Sequence, residues 1–159
     1  MVNELNLETI IEKIQTETGC DCEAYPNITN DETILIPADQ LQMVMAVLRD
    51  QFGIYHLSTI TAQERDIEAD QSAIELIYHF FYLNQPGDGR GISLMVRLPL
   101  DKPNIASIIS HLPGADFYER EVAEMFGVSF TGREATPKLL LPDEWEHGPP
   151  FISSEVSDE

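Results

Sequence analysis

The residues most able to do chemistry sit in one run, Asp116-Phe117-Tyr118-Glu119-Arg120-Glu121-Val122-Ala123-Glu124, where four acids surround an arginine. Paired carboxylates can act as general acid and base, but only when both reach one substrate bond. On a helix, Glu119 and Glu121 diverge by about 200°, so they cannot converge. The run contains no histidine, which removes a zinc-protease reading. Cys20 and Cys22 are the only cysteines, and four histidines (His56, His79, His111, His147) complete the set of soft ligands. A Cys-x-Cys pair cannot hold an iron–sulfur cluster without further thiolates, and no histidine spacing supports zinc. The sequence therefore predicts packed thiols and no metal. An enzyme using His79 or His111 with a carboxylate is the competing reading, and it requires a concave pocket around a shifted histidine. In the run Leu76-Ile77-Tyr78-His79-Phe80-Phe81-Tyr82, a strand histidine with a satisfied ring is expected instead. Gly87, Gly89 and Gly91 do not fit the spacing of a phosphate-binding loop, and no helix opens after them. They predict an exposed hairpin turn.

The elements that must position these residues follow from periodicity. Leu7, Ile10, Ile11 and Ile14 predict a helix over 4–18, stopped by Gly19. Two short strands are expected over 21–36, the second at 33–36, with a turn around 26–31. Leu41, Val44, Leu48 and Phe52 predict a second helix over 39–52, ended by Gly53. Strands are expected at 54–61, 73–83 and 92–98, the last two joined by the Gln85–Gly91 hairpin loop. Pro103 predicts the start of a third helix containing Ile105, Ile108 and Ile109. A fourth begins after Gly114, with Asp116 and Glu119 as a capping box and Gly127 as its left-handed stop. Its apolar stripe is Tyr118, Val122, Met125 and Phe126, with Arg120 and Glu124 in pairing register on the opposite, charged side. The fold class is α+β: helices packed on a mostly antiparallel sheet, with an extended C-terminal tail. The expected division is one domain over 1–127 and a tail over 128–159.

Charge narrows the function classes. The 159 residues carry a net charge of −19, with nine Lys and Arg against 28 Asp and Glu. Binding nucleic acid requires cations to neutralise phosphate, so that class is excluded, and anionic lipid surfaces are disfavoured. Residues 1–48 hold nine acids and one base, and residues 143–159 hold six acids and no Lys or Arg. The bases concentrate in the middle, which is where packing or docking is expected. No run of eighteen apolar residues is present and the N-terminus has no basic-then-apolar leader, so no transmembrane helix is expected, and the expected compartment is the cytoplasm or a cytoplasm-facing surface.

The stretch Tyr118-Glu119-Arg120-Glu121-Val122-Ala123-Glu124-Met125-Phe126-Gly127-Val128-Ser129-Phe130-Thr131-Gly132, then Lys138-Leu139-Leu140-Leu141-Pro142-Asp143-Glu144-Trp145, resembles the signature of the 30-kilodalton (C-type) subunit family of respiratory complex I, the NADH:quinone oxidoreductase. His56–Ala62 and Leu76–His79 resemble the same family's sheet. The resemblance covers roughly residues 40–148. It extends to the equivalent subunits of coenzyme F420 dehydrogenases and membrane-bound energy-converting [NiFe] hydrogenases. Gly132-Arg133-Glu134 departs from the family's usual Gly-His-Pro, and Gly148-Pro149-Pro150-Phe151 departs from its run after the tryptophan. The resemblance implies a structural subunit with no catalysis and no cofactor of its own. Iron–sulfur clusters and quinone, or a [NiFe] site, are expected in neighbouring subunits. The implied partners are the large quinone-site or [NiFe]-type subunit and the small iron–sulfur subunit, on the cytoplasmic side of the cell membrane. The expected interface residues are Glu119, Arg120, Glu121, Glu124, Arg133, Lys138 and Trp145, with Trp145 as an aromatic anchor. A free-standing acidic adaptor protein is the remaining alternative.

Overall fold

The computed structural model describes residues 6–26, 32–68, 71–85 and 88–153. Helix α1 (Leu7–Thr18) starts where the Asn6 side chain accepts the Thr9 amide, and ends at Gly19 in the left-handed conformation. It buries Ile10 and Ile14. Strands β1 (Glu23–Tyr25) and β2 (Glu32–Leu35) follow, paired antiparallel. The expected turn between them falls largely on residues 27–31, outside the described residues. Helix α2 (Leu41–Phe52), entered by one 3-10 turn at 38–40, buries Leu41, Val44, Met45 and Leu48.

Three long strands then form a meander: β3 (His56–Glu68), β4 (Gln71–Gln85) and β5 (Asp88–Pro99). They run beyond the expected bounds because each ladder continues almost into its turn, as far as Gln85 opposite Asp88. Propensity fades at the glycines and charges of these ends, but paired backbone groups hold them extended. The sheet order is β1-β2-β5-β4-β3, and only β2 against β5 is parallel. The α+β expectation therefore holds, with a mostly antiparallel sheet.

One face of the sheet carries the core. Ile74, Leu76, Tyr78, Phe80 and Tyr82 of β4 lie beside Ile92, Leu94, Val96 and Leu98 of β5, under the buried residues of the helices. Period-two alternation delivers them to one side, as an antiparallel sheet covered on one face requires.

The expected third helix is absent. Asn104–Ala106 is a strand, β6, pairing parallel with β7 (Ser129–Thr131). Two further bonds extend the pair, Ser129 N–H to Pro103 O and Ser107 N–H to Thr131 O, both 2.8 Å. Pro103 reads equally well as a helix start or as extended backbone, and a partner strand 25 residues away in sequence decides between them. Helix α3 (Asp116–Phe126) follows a 3-10 turn at 113–115 and ends at left-handed Gly127.

Candidate partner interface on helix α3 and the C-terminal segment

Glu119 is fully buried. Its position explains why: Ala115, Glu119 and Val122 recur at helical core spacing, and all three are buried. A buried carboxylate needs partners, and Glu119 has three kinds. Ser107 Oγ donates to Oε2 at 2.7 Å, the Ile108 amide donates to Oε1 at 2.7 Å, and Arg133 Nη1 donates to Oε2 at 3.1 Å. Arg133, with a side chain only 9% exposed, also donates to Asp116 Oδ1. Burial raises the Glu119 carboxyl pKa, and these donors oppose the rise without cancelling it.

The expected capping box is not formed. The N-cap is Ala115, without a side-chain cap, and Asp116 is the first helical residue. Asp116 and Glu119 serve Arg133 instead, because that guanidinium reaches both carboxylates of the first turn at once.

The opposite side of α3 is not simply solvated. Arg120 donates from Nη2 to Pro137 O at 2.9 Å, and its ion-pair partner one turn away is Asp116, at 3.9 Å. Glu124, expected to pair with Arg120, accepts three successive backbone amides: Leu139, then Leu140 and Leu141 at 2.9 Å each. Partial burial raises the Glu124 pKa, but the three amides and the charge of Arg120 outweigh it and bring the carboxyl below its ordinary value. Lys138 satisfies the far end of the same loop, donating to the carbonyls of Trp145 (2.9 Å), Pro142 (3.2 Å) and Asp143 (3.3 Å). Glu121 is exposed.

Trp145 is half-buried, donates its indole N–H to Gly148 O at 3.2 Å and stacks edge-on against His147. Further along, Phe151 donates its amide to Met125 O and packs edge-on against Phe126. Val122 is buried, Tyr118 and Phe126 are partly buried against the core, and Met125 lies half-buried outside that cluster.

The structure thus brings Glu119, Arg120, Glu124, Arg133 and Lys138 together as a clamp on residues 129–145. A cleft of about 380 Å³ opens between helix and loop, bordered by Arg120, Glu124, Phe130, Arg133 and Lys138. Exposed Phe117, Leu140 and Phe151 belong to the same helix and segment. Sequence reasoning missed Ser107 and the Ile108 amide, for which a loop after β6 carries no local signal.

Elsewhere, His79 is held between Thr61 Oγ1 (2.9 Å) and Ser93 Oγ (3.0 Å), the satisfied strand histidine expected from its apolar run. Cys20 and Cys22 are free and buried. Burial and the neighbouring Cys22 push the Cys20 thiol up to about 11, and burial also raises Cys22. Among the described residues no His, Cys, Asp and Glu group could hold a metal ion, and no helix is long and apolar enough to cross a membrane.

Fold and site together define a small α+β module whose ordered charges fasten its own C-terminal segment to a helix. Comparison with known proteins supplies the family. The sequence model described as "Respiratory-chain NADH dehydrogenase, 30 Kd subunit" matches residues 34–154, and the chain belongs to that family. The C-type subunit of the NADH-quinone oxidoreductase of Moorella thermoacetica is 28% identical over 139 residues, covering 87% of this chain and 84% of that protein. Its counterpart in Saccharopolyspora erythraea is 28% identical over 138 residues, covering 84% of this chain but 54% of the relative. The C/D-type subunit of the NADH-quinone oxidoreductase of Gluconacetobacter diazotrophicus is 32% identical over 123 residues, which are 20% of its length. The chain therefore spans about half the length, or much less, of some relatives it matches. Among solved structures, a chain of the membrane-bound sulfane sulfur reductase, an archaeal respiratory membrane complex, matches with TM-score 0.68 and 26% identity over 87% of this chain and 78% of its own. A trypsin-resistant fragment of Nqo5 shares the fold at TM-score 0.64 and 22% identity, over 83% of this chain and all of the fragment.

Proposed function

We propose that this chain is a non-catalytic, cofactor-free structural subunit of a membrane-associated respiratory oxidoreductase of the NADH-quinone type. It packs through α3 and the C-terminal segment beside the large subunit that shapes the quinone site, with the small iron–sulfur subunit adjacent, on the cytoplasmic side of the membrane. The observation that carries this reading is the fate of the signature charges. Glu119 and Arg133 are engaged with each other, and Glu124 and Lys138 with backbone groups of residues 139–145, so they fix a shaped surface rather than face a substrate. On that surface Phe117, Leu140 and Phe151 are exposed, as docking residues would be. Glu119 acts from inside, while Arg120, Glu121, Lys138 and Trp145 edge the surface and set register.

A second reading is the equivalent subunit of a related complex with another electron donor or acceptor. The match to the sulfane sulfur reductase chain favours it, since that likeness is higher in both TM-score and identity than the Nqo5 fragment's. The F420-linked and [NiFe] complexes belong to the same reading.

The test is affinity purification of the tagged chain from detergent-solubilised membranes. A multisubunit complex that oxidises a donor and reduces quinone is expected, and loss of that complex when the chain is deleted. Recovery of a lone chain, with the complex intact in the deletion, would overturn the proposal. Reduction of sulfane sulfur or protons in place of quinone selects the second reading.

A further inference from the structure

We infer that β3 offers its free edge, over residues 61–66, to an extended segment of a neighbouring subunit, which joins the five-stranded sheet as a sixth strand. This inference rests on the proposed membership of a multisubunit complex.

Hydrogen-bond alternation fixes which groups the edge presents. The Ile36 amide donates to Met95 O at 2.9 Å, so Met95 turns its backbone groups toward β2. Met95 pairs Ile77, which therefore turns toward β3, and Ile77 pairs Thr61. The register is unbroken from Thr59 to Asp66, with shifts beyond both ends. Thr59, Thr61, Gln63 and Arg65 thus bond β4, while Ile60, Ala62, Glu64 and Asp66 direct N–H and C=O away from the sheet. Among the described residues these outward groups have no hydrogen-bond partner. Ile60 is buried, but Thr61, Gln63, Arg65 and Asp66 are exposed and Ala62 and Glu64 half-buried. The open stretch is therefore 61–66.

An open edge is a template for another strand, and folded proteins blunt it with short strands, Lys, Pro or free charge. The opposite edge, β1, has three residues. β3 has thirteen, with no Lys and no Pro. Its charges in the open stretch are already engaged. Arg65 pairs buried Glu75 at 3.5 Å, Glu64 accepts the Ser153 amide at 2.7 Å, and Asp66 accepts Ser72 Oγ at 2.6 Å. Thr61 and Gln63 lean inward onto His79 and Glu75 of β4. Ala62 is too small to shield the backbone beside it.

The edge specifies its occupant. A donor and an acceptor recur together at Ala62, Glu64 and Asp66, about 7 Å apart. An extended backbone repeats both at that spacing, so recognition runs through main chain and asks little of the partner's side chains. A second copy is a poor occupant, because each chain carries −19 and the two repel. The edge is also continuous with the surface proposed on α3 and the C-terminal segment, since that segment reaches β3 where Ser153 bonds Glu64. A neighbour covering the segment lies beside the edge.

The test uses the full chain, purified and in its complex. Hydrogen exchange should find the Ala62, Glu64 and Asp66 amides fast in the purified chain and roughly a hundredfold slower in the complex, with Thr61 and Gln63 protected in both. Ala62→Pro removes an outward donor, so it should melt within a few degrees of the unsubstituted chain, while Gln63→Pro, which cuts the β4 ladder, should not. Ala62→Pro should also lower recovery of the intact complex at least tenfold. A photo-crosslinking amino acid at Gln63 should join the chain to a neighbouring subunit. Fast exchange at Ala62, Glu64 and Asp66 within an intact complex overturns this inference and leaves the proposed function standing, as does full recovery with Ala62→Pro. A Gln63 crosslink to a second copy of this chain overturns it as well. If Ala62→Pro does not fold, the exchange and crosslinking measurements decide. An unsubstituted chain that leaves the membranes without a partner overturns both this inference and the proposed function.

Discussion

At the scale of single residues, Glu119 decides how the site is built. Its carboxylate ties α3 to the loop after β6 and, through Arg133, to the segment after β7. The sequence contains its position, since Glu119 falls four residues after Ala115 and three before Val122 on the buried period. It also contains a reason to misread it, because a carboxylate is rarely buried without paired charge. The partners that make burial tolerable lie 12 and 14 residues away, and no helical pattern reports them. Replacing Glu119 should separate charge from shape. Glu119→Ala leaves the Arg133 guanidinium buried beside Asp116 alone and opens a void, and breaking such a pair costs about 3–5 kcal/mol. Glu119→Gln keeps the volume and an acceptor for Ser107 or Ile108, and should cost clearly less. Urea unfolding of both variants checks this; equal loss in both would mean that the charge is irrelevant and only packing matters.

At the scale of elements, what is legible is whatever a local pattern encodes. Both early helices and the glycines that stop them are readable, because apolar spacing and a left-handed cap are short-range signals. The β3–β4–β5 meander is readable as strands but not in length, since the ends are held by ladders and not by propensity. The segment 104–106 misleads because its isoleucine spacing with 108 and 109 fits a helix, while its actual partner, β7, is remote in sequence. The loop held by Glu124 is invisible for the same reason. Gly127 joins these two cases. It stops α3 at φ 70°, and a Cβ there would meet Pro149 Cγ at 2.7 Å. Gly19 and Gly53 share the left-handed conformation at φ 66° but have open space around them. All three Gly→Ala variants should incur the left-handed penalty of about 1–2 kcal/mol. Gly127→Ala should lose more than the other two, and amide exchange at Phe151 should accelerate in it alone. Equal losses in all three would show that the Pro149 contact carries no weight.

At the scale of the molecule, the question is where the folding unit ends. Apolar periodicity stops at Gly127, which puts the sequence-based boundary there. The next residues nevertheless contribute three things to what precedes them. Val128 and Phe130 are buried, each worth about 1.5–3 kcal/mol. Thr131 O accepts the Ser107 amide, which keeps β6 and its loop in place. Arg133 supplies the cation for buried Glu119. Set against the roughly 5–15 kcal/mol that separates folded from unfolded domains, losing all three would remove most of the margin. Residues 135–153 contribute differently. They are mostly exposed and are held by Glu124, Arg120 and Lys138 through hydrogen bonds at the surface, and at their far end by Phe151 on Phe126 and Ile152 at the edge of the core. Hence a chain ending at Glu134 should keep a cooperative thermal transition only a few degrees below that of the full chain. A chain ending at Gly127 should show no cooperative transition near it, or fail to accumulate. Circular dichroism melts of the three lengths decide the matter. If the 1–127 chain melts cooperatively within a few degrees of the full one, the Glu119–Arg133 pair and β7 are accessories to the fold, and the unit ends where periodicity does.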